Sequence, residues 1–194
     1  MRVVMHPEDR KQEILDGAIK VFAEKGYEKT TITDIARSMK ISQGLCYRYF
    51  LSKEDMYDAA LEEYAELIAG SNIEMYRKVQ KGKTLKEQLK LMDGKMQLFT
   101  SSEKKDQALY SMFHSRDSRK MHDELFRKVA DKVLPYVKEI LEEAKQKGEI
   151  SIADSEATAC FIVYGQIGYL MKSEAGAQEK VTGIQQCLQE ILFK

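Results

Sequence analysis

The sequence has 194 residues, 43% hydrophobic and 32% charged, with 31 Lys and Arg against 31 Asp and Glu. It contains two Pro and no Trp, where average usage gives about ten Pro, and this scarcity of helix breakers favours a largely helical fold. The composition excludes a disordered chain, and the zero net charge excludes a generic polybasic coat for nucleic acid but not a local basic face.

Nothing in the sequence points to a membrane or to an oxidising compartment. No stretch approaches the roughly 20 apolar residues of a membrane span, and the first residues lack the apolar core of a secretory signal. Cys46, Cys160 and Cys187 lie far apart with no CxxC pair, which argues against a disulfide scaffold or a cysteine-based zinc site. We therefore expect a cytoplasmic protein without a membrane partner.

Apolar residues at helical spacing predict a succession of amphipathic helices, and no alternating strand pattern of useful length occurs. The first helix covers about residues 8–25 and ends at Gly26, which tolerates a positive φ. Thr31 with Asp34 has the spacing of a capping box that opens a helix of about two turns.

Two more helices follow directly. Ser42 has the position of an N-cap for a short third helix over 43–50. Ser52 with Asp55 has the spacing of a capping box that opens a long fourth helix.

The C-terminal part continues the helical pattern. Thr84 and Glu87 form a further capping box ahead of an apolar series that runs to Phe99. A kink or a helix restart is expected at Pro135. After a polar break over 101–106, helices are expected around Leu109 and over about 120–147, 154–173 and 177–193. The predicted fold class is all-α.

Residues 31–50 carry the informative pattern, because two short helices are joined by a turn near 40–42. This spacing matches a helix-turn-helix, whose second helix lies in the DNA major groove. Over residues 31–53 four cations stand against the single carboxylate of Asp34. Phosphate oxygens could accept hydrogen bonds from Tyr47, Arg48, Tyr49 and Lys53.

Residues 8–68 resemble the DNA-binding domain of the TetR (tetracycline-repressor) family of transcriptional regulators. The resemblance covers about a third of the chain, and the remainder is similar to the family only in length and helical pattern. The matching positions, in order, are Ile14, Ala18, Phe22, Ala23, Glu24, Lys25, Gly26, Tyr27, Thr30, Thr31, Ile32, Asp34, Ile35, Ala36, Ile41, Ser42, Gly44, Tyr47, Tyr49, Phe50, Ser52, Lys53 and Glu54.

The resemblance implies a three-helix helix-turn-helix domain over 8–68 and a helical ligand-binding and dimerisation domain over 69–194. It implies a homodimer whose two recognition helices enter successive major grooves of a near-palindromic operator. Family phosphate contacts carry over to Thr31, Ser42, Tyr47, Tyr49 and Lys53. Base-edge contacts carry over to Gln43, Gly44, Leu45 and Arg48.

Three positions depart from the family pattern. Lys40 stands where the turn often has Gly, Gln43 replaces a basic residue, and Leu45 replaces a small polar one. Glutamine can bind adenine bidentately and leucine can pack against a thymine methyl, which predicts an A·T-leaning half-site.

The resemblance also implies an inducer pocket among the C-terminal helices. Met and aromatic side chains suit an adaptable apolar pocket, although ordinary core packing is the alternative. The candidates are Tyr64, Met92, Met96, Phe99, Phe113, Phe126 and Tyr164.

In the family, the last two helices build a dimeric four-helix bundle. Small and apolar residues in these helices fit that role, with packing inside the chain as the alternative. The candidates are Ala157, Phe161, Gly165, Gly168, Ile184, Leu188 and Ile191.

No catalytic motif is found, so we expect no enzyme activity and no cofactor. GxGxxG, GxxxxGK[ST], HExxH and GxSxG are all missing from the sequence. His6, His114 and His122 lack a second ligand at helical spacing, so no metal site is expected.

The function expected is a ligand-responsive repressor, in which a small lipophilic effector shifts the population away from the DNA-binding state. The long fourth helix, about 53–76, would link the pocket to the DNA-binding domain. Two alternatives stay open. One is an interaction protein whose helix-turn-helix no longer reads DNA, and the other is a constitutive regulator without a ligand.

Overall fold

The computed structural model describes residues 6–91, 107–113, 119–172 and 175–193, and every regular element within them is an α-helix. The all-α prediction is therefore confirmed for these segments. Their helices are α1 (Pro7–Lys25), α2 (Ile32–Ser38), α3 (Gln43–Tyr49), α4 (Lys53–Gln80), α5 (Leu85–Leu91), α6 (Gln107–Phe113), α7 (Arg119–Gln146), α8 (Ser155–Lys172) and α9 (Ala177–Leu192).

The chain divides into two compact units. The first is formed by the described parts of Met1–Tyr64 and Glu103–Leu125, and the second by those of Ala65–Ser102 and Phe126–Lys194. The helices α4 and α7 contribute residues to both units. The domain boundaries drawn from the sequence, 8–68 and 69–194, follow chain order and stay a prediction. The compact units differ from them because α6 packs against α1 in the first unit.

A row of aromatic rings forms part of the interior of the first unit. Ring centroids are 5.4 Å apart for Phe22 and Tyr27, 4.9 Å for Tyr27 and Tyr57, 5.9 Å for Tyr57 and Phe113, and 5.4 Å for Phe113 and Tyr64. Each such pair contributes about 0.5–1.5 kcal/mol beyond area burial. The row ties the chain after α1 to α4 and α6.

An aliphatic cluster forms the core of the second unit. Its members come from α5, α7, α8, α9 and the segment after α7: Leu85, Leu89, Leu141, Ala144, Ile150, Ala159, Ile162, Ile184, Leu188 and Leu192. Because apolar burial is the main favourable term in folding, this cluster fixes the C-terminal helices against one another.

Two local expectations can be compared with the structure. The helix α7 runs through Pro135 without a restart, so of the two outcomes expected there only the kink stays a prediction. At the start of α4, the Asp55 N–H donates to Ser52 Oγ (3.1 Å), but the Asp55 carboxylate accepts from the Leu51 N–H (2.8 Å). Only half of that predicted capping box is present.

The turn between α2 and α3 depends on a left-handed residue. Lys40 has a φ of +56°. Its N–H donates to the Arg37 carbonyl (3.1 Å), and the Ile41 N–H donates to the Ala36 carbonyl (3.0 Å). This is the Schellman pattern, in which glycine is preferred at the left-handed position. Lys40, which stands where the family often has Gly, therefore has a strained backbone conformation.

We expect Lys40→Gly to raise the free energy of unfolding by about 0.5–1 kcal/mol. Glycine avoids a left-handed penalty of about 1–2 kcal/mol, while it adds about 0.4–1 kcal/mol of unfolded-chain entropy. Lys40→Ala is the matched control, since it removes the same charge and keeps a Cβ. Urea denaturation followed by circular dichroism compares the two variants, and equal stability would show that the turn stores no such strain.

Candidate nucleic-acid interface

The helix α3 has one buried face and one open face. Ser42 caps it, because Ser42 Oγ accepts from the Leu45 N–H (3.2 Å). Cys46 is 0% exposed and faces the core, where burial raises the pKa of its thiol. On the opposite side a Cβ built on Gly44 would meet only Ser42 Oγ, at 4.0 Å. The backbone at Gly44 can therefore be approached closely from outside.

The exposed side chains of α3 include donors suited to a nucleic acid. Tyr47 is 51% exposed, and Arg48 is exposed as well. Neither makes a hydrogen bond or an ion pair with another residue in the segments that the structure describes. A major groove about 12 Å wide admits one such helix, so these groups can reach phosphates or base edges.

The capping box at the start of α2 forms as predicted. Thr31 Oγ1 accepts from the Asp34 N–H (3.2 Å), and Asp34 Oδ2 accepts from the Thr31 N–H (3.0 Å) and hydroxyl (2.6 Å). Lys25 Nζ lies 2.9 Å from Asp34 Oδ1. The Thr31 hydrogen bonds, and then the Lys25 ammonium, lower the pKa of Asp34 well below its usual range. The Thr31 hydroxyl thus already acts as a cap.

A contact between α2 and α3 orients Gln43. Gln43 Nε2 donates to Thr33 Oγ1 across 2.8 Å, with both residues exposed. The amide nitrogen has two hydrogens, so one remains together with Oε1 for a bidentate contact. Sequence reasoning missed Thr33, because its ten-residue separation from Gln43 has no periodic signal.

Lys53 is anchored within the first unit. Its Nζ donates to the Tyr27 carbonyl (3.1 Å) and lies 4.2 Å from the centroid of the Tyr27 ring. The Tyr27 hydroxyl donates to Glu54 Oε1 (3.3 Å), and burial followed by the Glu54 charge raises the pKa of Tyr27 to about 12. An ammonium has three hydrogens, so Lys53 keeps donors for a phosphate.

The structure places all nine sequence-predicted contact residues between the N-cap of α2 and the first residue of α4. Six are exposed: Thr31, Ser42, Gln43, Gly44, Tyr47 and Arg48. Leu45, Tyr49 and Lys53 are partly buried. Their roles toward DNA stay a prediction.

The second unit contains a cavity of about 250 Å³, here called the C-terminal cavity. It is lined by residues of α4, α5, α7, α8 and α9: Met75, Tyr76, Leu85, Gln88, Leu89, Leu91, Tyr136, Val137, Ile140, Leu141, Ile162, Gln166, Leu188 and Leu192. This wall is mainly aliphatic, whereas the sequence pointed to aromatic and Met side chains.

None of the described residues predicted for a pocket lies on this wall. Tyr64 and Phe113 belong to the aromatic row of the first unit. Phe126 is buried, and Tyr164 is exposed with its hydroxyl bonded to Asp131. Met92, Met96 and Phe99 lie outside the described residues, as do His114 and the predicted break at 101–106.

The predicted dimer residues divide between an outer face and the core. Phe161 is 80% exposed, and Ile191, Ala157 and Gly165 are exposed too. Gly168 is partly buried. Ile184 and Leu188 belong to the aliphatic core. The exposed apolar groove between α8 and α9, lined in part by Phe161 and Ile191, encloses about 340 Å³.

Metal-binding clusters and membrane-spanning helices are both missing from the segments described above. No group of three or more His, Cys, Asp or Glu residues there could hold a metal ion. None of the described helices combines the length and the apolar character that crossing a bilayer requires.

The fold and the exposed α3 define a helix-turn-helix protein. Residues 14–60 match the model of the bacterial regulatory proteins of the tetR family. The HTH-type transcriptional regulator HbdR of Aromatoleum sp. (strain CIB) is 49% identical over 49 residues, which make up 25% of this chain and 21% of HbdR. The match to the family model and to HbdR is therefore confined to the N-terminal helix-turn-helix region of the chain.

Two further similarities were found, one in the same N-terminal region and one in the fold. The biofilm operon icaADBC HTH-type negative transcriptional regulator IcaR of Staphylococcus aureus (strain Newman) is 42% identical over 52 residues, 27% of this chain and 28% of IcaR. The match thus spans about a quarter of these curated relatives. The solved structure of Salmonella enterica GusR aligns with a TM-score of 0.61 at 20% identity over 97% of this chain and 98% of that chain, which shows a shared fold.

We expect Asp34→Asn to lower the free energy of unfolding at neutral pH. The folded state lowers the pKa of Asp34 below its unfolded value of about 3.9. Its ionised form therefore stabilises the fold above that value, and the stabilisation is lost as the pH falls through the native pKa. The loss of unfolding free energy in Asp34→Asn, measured by urea denaturation, should be largest above about pH 5 and shrink toward about pH 3.

Asp58→Asn is the control for this comparison, because Asp58 is an exposed carboxylate on α4. It should show no comparable change with pH. A deficit of Asp34→Asn that is the same at both ends of the range would contradict the capping role of the ionised carboxylate.

Proposed function

We propose that this chain is a transcriptional repressor that binds a near-palindromic DNA operator as a homodimer and leaves it when a small lipophilic ligand occupies the C-terminal cavity. The observation that carries the proposal is the open face of α3, with Gly44, Tyr47 and Arg48 facing outward. Similarity to a negative transcriptional regulator supports repression over activation.

A homodimer is supported by the outer face of α8 and α9. A phenylalanine that is 80% exposed, as Phe161 is, leaves apolar area in water that a second copy would cover. A Cβ built on Gly165 would meet nothing within 4 Å, so a partner helix has room to approach. A symmetric pair would place two α3 helices about 34–36 Å apart, one turn of DNA.

Release by a ligand is supported by the C-terminal cavity and by the course of α4. This helix begins with Lys53 beside the helix-turn-helix and contributes Met75 and Tyr76 to the cavity wall. A ligand shifts the equilibrium only by its differential affinity for the two states. Ligand binding would therefore have to favour a separation of the α3 helices that does not match the operator.

A second candidate function is an interaction protein whose helix-turn-helix no longer binds DNA. The bond from Lys53 to the Tyr27 carbonyl favours this reading, since it occupies one donor of a predicted phosphate contact. Gln43 also favours this function, because it is a neutral side chain where the family pattern has a cation.

DNA binding should weaken steeply with salt, with a slope of about −0.9 per phosphate contact in a plot of log affinity against log salt. Arg48→Ala should weaken binding about tenfold or more, because it removes an exposed cation from α3. Arg127→Ala is the control, since Arg127 lies on α7 with an ion pair to Asp131. Fluorescence anisotropy on a selected operator gives both values, and salt-independent binding would favour the interaction protein.

Selection from a random duplex pool should return A·T pairs at the central contacts of each half-site, because Gln43 and Leu45 suit adenine and thymine. Thr33→Val should weaken this preference about three- to tenfold, since the hydroxyl that orients Gln43 is lost. Thr33→Ser keeps the hydroxyl and should keep the preference. A G·C-rich consensus would refute the assignment of Gln43.

A further inference from the structure

The wall of the C-terminal cavity contains no Asp, Glu, Lys, Arg or His among its described residues. Ten of its members are aliphatic or thioether side chains, and the four polar ones are Tyr76, Gln88, Tyr136 and Gln166. A charged group buried there without a partner would lose several kcal/mol of hydration. The wall therefore discriminates against both cationic and anionic ligands.

Two of the four polar side chains are already bound within the second unit. The Tyr136 hydroxyl donates to Gln80 Oε1 (3.1 Å), and Gln88 Nε2 donates to the Lys83 carbonyl (3.0 Å). The guanidinium of Arg77 lies 5.5 Å from the centroid of the Tyr136 ring. The Arg77 charge is therefore engaged with Tyr136, and Arg77 itself does not line the cavity.

The other two polar side chains, those of Tyr76 and Gln166, have unused hydrogen-bonding groups. Neither side chain forms a hydrogen bond with another residue in the described part of the chain. No buried side-chain nitrogen or oxygen there lacks a partner, so these polar atoms must be accessible. The Tyr76 hydroxyl is neutral at physiological pH, and burial raises its pKa further from the usual value of about 10.

A polar depression adjoins the cavity and shares Leu85, Gln88 and Ile140 with it. Its charged residues are two lysines and two glutamates, so it carries no net charge. Lys147 pairs with Glu143 at 3.4 Å. Glu149 Oε2 accepts the Leu85 N–H at 2.6 Å. A ligand that extends into this depression meets balanced charges, three of which are already engaged in these contacts.

We propose that the C-terminal cavity binds an uncharged, largely apolar ligand with one hydrogen-bonding group, which Tyr76 and Gln166 meet. The inference rests on the proposed function, because it assigns the chemistry of the effector named there. A dry cavity of about 150 Å³ holds benzene. By that scale, a cavity of about 250 Å³ holds roughly ten non-hydrogen atoms.

Three probes of one length separate the charge states: 1-octanol, octanoate and n-octylamine at pH 7. Isothermal titration calorimetry of the full chain should give at least about tenfold tighter binding of 1-octanol than of either ion, because only the ions lose a charge's hydration. Val137→Phe should abolish 1-octanol binding by filling the cavity, which places the probe there. Equal or tighter binding of octanoate or n-octylamine would overturn the proposal, as would binding of none of the three.

Two variants test the hydrogen-bonding pair. Gln166→Met and Tyr76→Phe keep shape and should each weaken 1-octanol binding roughly three- to tenfold. Gln189→Met is the control, since Gln189 is exposed on α9 and not on the wall. Circular dichroism checks that each variant folds. If Gln166→Met fails to fold, Tyr76→Phe, which removes only one oxygen atom, still tests the pair. Unchanged affinity in the folded variants would reject the assignment of these groups.

Operator binding measured in the presence of each probe tests the ligand class and the proposed repressor function separately. Salt-dependent operator binding that octanoate or n-octylamine releases, with 1-octanol inactive, would keep the repressor and reject the uncharged ligand. A chain that binds no duplex but ranks 1-octanol first would keep the ligand class and reject the repressor.

Discussion

The candidate nucleic-acid interface depends on α3, a helix too short to be stable alone. An isolated helix needs about 12–15 residues in water, whereas α3 has seven. Burial of Cys46 and of Phe50, which is 1% exposed, holds α3 against the first unit, and the Ser42 cap satisfies a backbone donor at its start. Because stability comes from one face, the other is free to carry residues chosen for contact.

Local features could be predicted from the sequence because their partners are close in the chain. The capping box of Thr31 and Asp34 needs only a three-residue spacing, and it forms as expected. Lys40 stood out only through the family resemblance, which places Gly at this turn, and the structure shows a left-handed backbone there. The order of helices followed from apolar periodicity, which reports which residues are buried.

Periodicity does not report what a buried residue is buried against. Tyr64 and Phe113 have helical spacing typical of a pocket wall or a core, and the structure places both in the aromatic row of the first unit. The C-terminal cavity is instead formed mainly by aliphatic residues from five helices, whose meeting depends on packing between distant segments. The bonds of Thr33 to Gln43 and of Lys53 to Tyr27 are missed for the same reason.

Charge distribution explains how a chain with zero net charge can present a cationic surface. The one carboxylate among residues 31–53, Asp34, is engaged by Lys25 from outside that segment. Glu54 and Asp55, which follow directly, accept from Tyr27 and from the Leu51 N–H. Surface fields decay over about 8 Å at physiological salt, so a phosphate beside α3 senses Arg48 and its neighbours rather than the acidic residues of distant helices. The total charge of the chain therefore says little about its affinity for DNA, whereas the pairing of these carboxylates bears on it directly.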